Sequence, residues 1–141
     1  MSHQPVIADV ALDVTLACLD ESGNSHQLDT VLGYHRPDPF AVTMTFLTGD
    51  EPLTWTFGRD LLLLGIHEPV GQGDVHVSPA INESGEAVVL ITLSSPDGHL
   101  LLEARTSEVK GFLDRTLAIV PSGTEAPHLD LDDMIAQLLS S

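Results

Sequence analysis

Between Trp55 and Glu68 the chain changes its hydrophobic period inside one segment, Trp-Thr-Phe-Gly-Arg-Asp-Leu-Leu-Leu-Leu-Gly-Ile-His-Glu. Leu53, Trp55 and Phe57 alternate with threonines, the period-two signature of a strand with one buried face. Gly58 breaks the alternation, Arg59-Asp60 follows, and Leu61 to Leu64 then run uninterrupted to Gly65. The reading is a strand passing into a short helix over 59–65, with Gly65 supplying the left-handed residue that ends it. Leucines at successive positions cover most of a helix's circumference, so this helix needs cover on nearly every side. A chain of 141 residues has little material to wrap a helix that fully, and a partner subunit is the simplest way to complete the cover.

The flanking sequence supplies the sheet. Val6, Ala8, Val10, Leu12, Val14, Leu16 and Cys18 occupy every even position of a long half-buried strand. Cys18 lies on its apolar face, so it reads as core rather than nucleophile. Glu21–Ser25 is a turn, His26–Tyr34 a second strand of weak period, and Phe40–Phe46 a third. Beyond the leucine helix, Gly71-Gln-Gly73 reads as a loop and Val75–Ile81 as a strand whose Pro79 places it at an edge or a bulge. Ala87–Leu93 is almost wholly apolar and fits a central strand. Ser95-Pro-Asp-Gly98 turns it tightly into Leu100–Leu102.

Two helices close the chain. Val109, Phe112, Leu113 and Thr116 share one face, with Thr106 or Ser107 as cap. Leu131, Met134, Ile135, Leu138 and Leu139 form a second apolar stripe after a Pro/Gly-rich linker. The expected organisation is a single domain over 1–141: strands over about 6–57, a helix over about 59–65, strands over about 74–104, and helices over about 107–118 and 131–139. Tight turns between consecutive strands mean antiparallel pairing. The class is therefore α+β, with three helices and a strongly one-sided sheet that curls towards a barrel. The repeated order of strands followed by a helix suggests a loose internal duplication.

Five Lys and Arg stand against 21 Asp and Glu, a net charge of −16. Nucleic-acid affinity rests on cationic neutralisation of phosphate, so the charge argues against binding DNA, RNA or bare anionic membrane. It suits solubility or the meeting of basic protein partners. No apolar run approaches a membrane span, the first residues lack a secretion signal, and one cysteine builds no disulfide scaffold. A cytoplasmic location is expected.

Reactive chemistry finds no support. His3, His26, His35, His67, His76, His99 and His128 show no four-residue helical pairing for a metal. Gly71-Gln-Gly73-Asp74 resembles half a phosphate loop, but a strand follows where a helix is needed, and Asp74 has the wrong charge. No serine sits in a nucleophile elbow. Arg59 and Asp60 are the informative charged pair. Their ordinary role is structural: the aspartate near a helix start, the arginine reaching a carbonyl or a carboxylate. Their functional role would be contact with a partner, since arginine is enriched at interface hot spots. Trp55, Arg59, Asp60, Leu62 and Glu68 are the protein-contact candidates.

Six segments together carry a resemblance: Asp38-Pro-Phe-Ala-Val42, Trp55-Thr-Phe-Gly-Arg-Asp-Leu-Leu62, Gly71-Gln-Gly-Asp-Val75, Leu93-Ser-Ser-Pro-Asp-Gly98, Phe112-Leu-Asp-Arg-Thr116 and Val120-Pro-Ser-Gly-Thr-Glu125. In this order they resemble the SsgA-like family of actinobacterial sporulation and cell-division proteins, and most closely its SsgB-type members. The chain departs from its relatives at Ser78, where they often carry tryptophan, and at Glu68, where they often carry a basic residue. The resemblance implies a whirly-type fold, a homotrimer, and a non-catalytic protein without cofactor or metal. It also implies a place at the division septum, where such a protein recruits the tubulin-like FtsZ with the help of SsgA-type members. A whirly-like single-strand binder is the alternative, and the charge opposes it.

Overall fold

The computed structural model describes residues 8–20, 22–47, 49–126 and 138–139. Eight strands and two helices are assigned within them: β1 (Val10–Leu19), β2 (Ser25–Tyr34), β3 (Ala41–Phe46), β4 (Leu53–Gly58), α1 (Arg59–Gly65), β5 (Val70–Gln72), β6 (Val75–Ile81), β7 (Ala87–Ser95), β8 (Gly98–Arg105) and α2 (Thr106–Ile119). The strands form one antiparallel sheet in the order β4-β3-β2-β1-β8-β7-β6-β5. It curls into a half-barrel, and the class is α+β as expected. Most of the third expected helix, over 131–139, lies outside the described residues; the two that are described, Leu138 and Leu139, are helical.

Register explains the core. β1 pairs with β2 so that Val10 faces Tyr34, Leu12 faces Leu32, and Leu16 faces Leu28. The same face continues through Met44 opposite Trp55 and Val42 opposite Phe57, and through Leu102 opposite Ile91. Side chains two residues apart point the same way, so this one face collects most of the buried apolar residues of the sheet. α2 closes it by burying Val109, Phe112, Leu113 and Thr116, the face read from the sequence. The opposite face carries threonines and acids together with Val31, Val88, Leu90 and Leu101; Thr45 and Thr54 hydrogen-bond across it at 2.9 Å.

The chain forms two units of four strands and a helix, β1–β4–α1 and β5–β8–α2. Their strands pair through three residues each, Ala17 to Leu19 against Glu103 to Leu101. The helices cross this junction. α1 follows β4 yet rests on β5 and β6, whereas α2 spans β1, β7 and β8 and also touches α1.

Three local expectations need correction. Gly65 is not left-handed; it is absent from the positive-φ glycines, and Ile66 caps α1 in a right-handed conformation. Its role is steric, because α1 lies so close to β6 that a Cβ on Gly65 would stand 2.6 Å from Val77 Cβ. The Gly71–Gly73 segment is a strand and its turn rather than a loop: β5 pairs with Val75–Val77, and Gly73 takes φ 60° to make the reversal. Neither Thr106 nor Ser107 caps α2; Arg105 occupies that position, with no side-chain cap. Pro79 is as expected in its surroundings, since β5 ends its pairing at Val77 and leaves β6 a local edge beyond it.

Candidate functional site

The junction of β4 and α1 sets the best-defined polar cluster. Gly58 ends β4 opposite Ala41, and the Arg59 amide donates to the Phe40 carbonyl at 2.7 Å. This fixes the backbone from which the Arg59 side chain runs inward, under complete burial. Its guanidinium lies 5.0 Å from the Tyr34 ring centroid, within cation–π range. Nη1 donates to the Val120 carbonyl at 2.7 Å and, less closely, to the Thr116 carbonyl at 3.3 Å. Nη2 donates to Glu125 Oε2 at 2.9 Å. The Thr116 hydroxyl in turn donates to the Leu113 carbonyl, and Tyr34 donates to the Pro39 carbonyl at 2.8 Å.

A guanidinium placed at the end of α2, on the Val120 carbonyl and beside a Thr116 carbonyl that also accepts from the Val120 amide, meets the negative end of the helix dipole. Glu125 closes the circuit. Its other oxygen accepts from the Gly123 amide at 2.7 Å, so the segment 120–125 is drawn back onto the helix end. Hydrogen bonding from its own backbone, and then from Arg59 and Gly123, holds the Glu125 carboxyl below the ordinary glutamate range against the opposing effect of burial. Burial pushes the Tyr34 hydroxyl up. Among the described residues one buried side-chain polar atom, Arg59 Nε, has no hydrogen-bond partner.

The contact candidates separate. Arg59 and Leu62 lie inside the subunit, at 0% and 1% exposure. Asp60 is exposed in the first turn of α1, and Glu68 is exposed just beyond it. Trp55 is half-buried on the inner face, where it packs against the core. It also lines an open hollow of about 360 Å³ with Gln72 and Asp74, between the two outermost strands. The leucine helix buries Leu61 and Leu62, half-buries Leu63 and leaves Leu64 50% exposed. Sequence reasoning missed Tyr34, Thr116 and Glu125 as partners of Arg59. The available signal was a lone acid in a Pro/Gly segment just after a helix that lacks a basic last turn.

Cys18 is half-buried, and burial, followed by the charge of Asp20, pushes its thiol up, away from a nucleophile's thiolate. Among the described residues no three His, Cys, Asp or Glu side chains converge as a metal site. Among the same residues no helix is long and apolar enough to cross a membrane.

Comparison with known proteins places this architecture. Residues 28–125 match the family described as Streptomyces sporulation and cell division protein, SsgA. The chain is 44% identical over 133 residues to the sporulation-specific cell division protein SsgB of Kineococcus radiotolerans, covering 94% of this chain and 81% of that protein. It is also 44% identical over 132 residues to SsgB of Streptomyces coelicolor, covering 93% and 96% of the two chains. A solved SsgA-like sporulation-specific cell division protein from Thermobifida fusca superposes with a TM-score of 0.82 at 36% identity, covering 91% of this chain and 93% of that one. A second solved structure, of an SsgB whose mutations correlate with longitudinal cell division during sporulation of Streptomyces coelicolor, gives 0.79 at 45% identity over 84% and 94% of the chains. This chain belongs to the SsgA family of sporulation and cell division proteins.

Proposed function

We propose that this protein is a non-catalytic division factor that works in the cytoplasm at the sporulation septum, marking the site and recruiting and positioning FtsZ through protein contacts. The observation that carries this reading is similarity along nearly the whole chain to proteins named sporulation-specific cell division protein SsgB. A homotrimer that meets FtsZ and SsgA-type members fits the surface. Phe40, Leu47, Leu53, Leu64 and Ile81 are large apolar residues at 47% to 74% exposure, of the kind that association covers.

The test is rescue in a sporulating actinomycete deprived of its SsgB-type protein, with a tagged copy of this chain supplied in its place. Restored septation, fluorescence at the septa and co-purification of FtsZ are expected. A stably expressed copy that stays diffuse and leaves the cells aseptate would overturn the reading.

A further inference from the structure

Beside the β1–β8 junction two adjoining hollows, of about 240 and 470 Å³, share Ala17, Ser25, Asn82 and Glu103 and form one groove. It reaches Gly23 in the β1–β2 turn and Glu83 and Ser84 in the β6–β7 turn. It lies where β1 and β8 pair through three residues each, Ala17 to Leu19 against Glu103 to Leu101. Leu19 and Ile81 supply its aliphatic surface. Ile81 is 74% exposed, the most exposed large apolar residue in the sheet.

The groove's charge is one-sided. Glu83, Glu86 and Glu103 line it against a single cation, Arg105, which already stands 4.0 Å from Glu86. Among the described residues, Glu83 and Glu103 have no side-chain hydrogen bond or ion pair. Carboxylates left unpaired beside an exposed aliphatic residue select by sign and contribute burial at the same place.

We propose that this groove docks an extended segment of a partner protein in which Lys or Arg residues flank an aliphatic side chain. A second copy of this chain does not fit that description. Its five cations are Arg36, Arg59, Arg105, Lys110 and Arg115; Arg59 is buried, and no two of the five are closer than five residues in sequence. The partner's field must therefore be basic where this chain's is not. This deepens the reading that the protein acts through protein contacts and rests on it.

The experiment is fluorescence anisotropy with a labelled nonapeptide that alternates leucine with arginine and lysine, titrated with the full chain at low and moderate salt. Binding that weakens as salt rises is expected. The double variant Glu83→Lys/Glu103→Lys should weaken it about tenfold or more, and Ile81→Ser several-fold. Asp50→Lys/Asp114→Lys, which reverses two exposed acids that do not line the groove, should change it far less. Equal weakening by both double variants would reduce the attraction to net charge and overturn the proposal. So would unchanged binding by the groove variant, or equal binding of a peptide with serine in place of leucine. A shift in oligomeric state of the groove variants by light scattering would make the groove an interface between copies and overturn it as well. Thermal unfolding of each variant separates these outcomes from misfolding. Rescue of septation by the charge-reversed chain would remove the groove proposal alone. Peptide binding by a chain that fails to rescue would remove the division reading alone.

Discussion

Arg59 and Glu125, 66 residues apart in the chain, meet at 2.9 Å with side chains 1% and 6% exposed. The pair joins the first residue of α1 to the segment beyond α2, and the same guanidinium holds the carbonyls that end α2. Breaking a buried pair leaves one ion without a partner, which costs more than the pair itself contributes. Arg59→Met should destabilise the fold by about 3–5 kcal/mol. Glu125→Gln, which keeps an acceptor in place, should cost about 1–3 kcal/mol. Urea denaturation of both single variants and the double variant measures the coupling. Strictly additive costs would show that the two side chains do not act as a pair.

Acid should act through the same contact. Glu125 titrates below its ordinary value of 4.5 in the folded protein. In the acid range the unfolded chain therefore binds more protons at this position. The stability it contributes is complete above the unfolded value and is lost as pH falls through the depressed folded one. The wild type should lose stability more steeply than Glu125→Gln from about pH 5 downwards. Asp9 and Asp20, also held below their ordinary values, titrate in both proteins and cancel in the comparison. Parallel stability–pH curves for the two proteins would remove Glu125 as a source of acid sensitivity.

Two helical glycines should respond in opposite directions to alanine. At Gly65 the new Cβ would sit 2.6 Å from Val77 Cβ and 3.4 Å from Val70 Cγ2. A β-branched core residue on a paired strand cannot easily move aside, so a loss of about 1–3 kcal/mol is expected. At Gly111, exposed on α2 with nothing within 4 Å of an added Cβ, alanine should raise stability by about 0.5–1 kcal/mol. Melting temperatures that moved the same way for both would contradict the account of α1 resting on β6.

The contrast between these positions marks how far the sequence can be read. Alternation located β1, β3, β4 and β6, a continuous apolar run located β7, and helical spacing found the buried face of α2, because burial writes itself into local order. β5 was hidden because three residues around Gly71 offer too short a pattern, and Gly71 adds no side chain where the ring of its paired residue His76 lies. The Arg59 cluster was half legible. That the arginine would reach a carbonyl or a carboxylate followed from its place at a helix start. Which ones did not, since Val120 and Glu125 arrive from the far end of the described chain and carry no periodic signal.

Light scattering tests the proposed assembly directly. A chain of 15.1 kDa should run as a particle of about three times that mass at micromolar concentration. Replacing Leu53 and Leu64, at 58% and 50% exposure, with serine should lower that mass if the trimer covers them. A clean monomer in the unaltered protein would refute the proposed trimer.

A labelled single-stranded oligonucleotide at low salt tests the electrostatic exclusion. With net charge −16 no tight binding is expected at micromolar protein, since there is no cationic track to release counterions. Tight, salt-sensitive binding would show that local geometry outweighs the overall field.

The crossed packing of the helices bears on how this protein is made. α1 emerges from the first unit but finds its floor on β5 and β6 of the second, and α2 reaches back to β1. During synthesis the leading unit must wait, its greasy inner surface open, until the trailing one leaves the ribosome. The Arg59 cation gains its final counterion only when residue 125 appears. Truncation just before that point would strand a nearly finished body with an unmatched charge at its centre, a natural target for quality-control proteases.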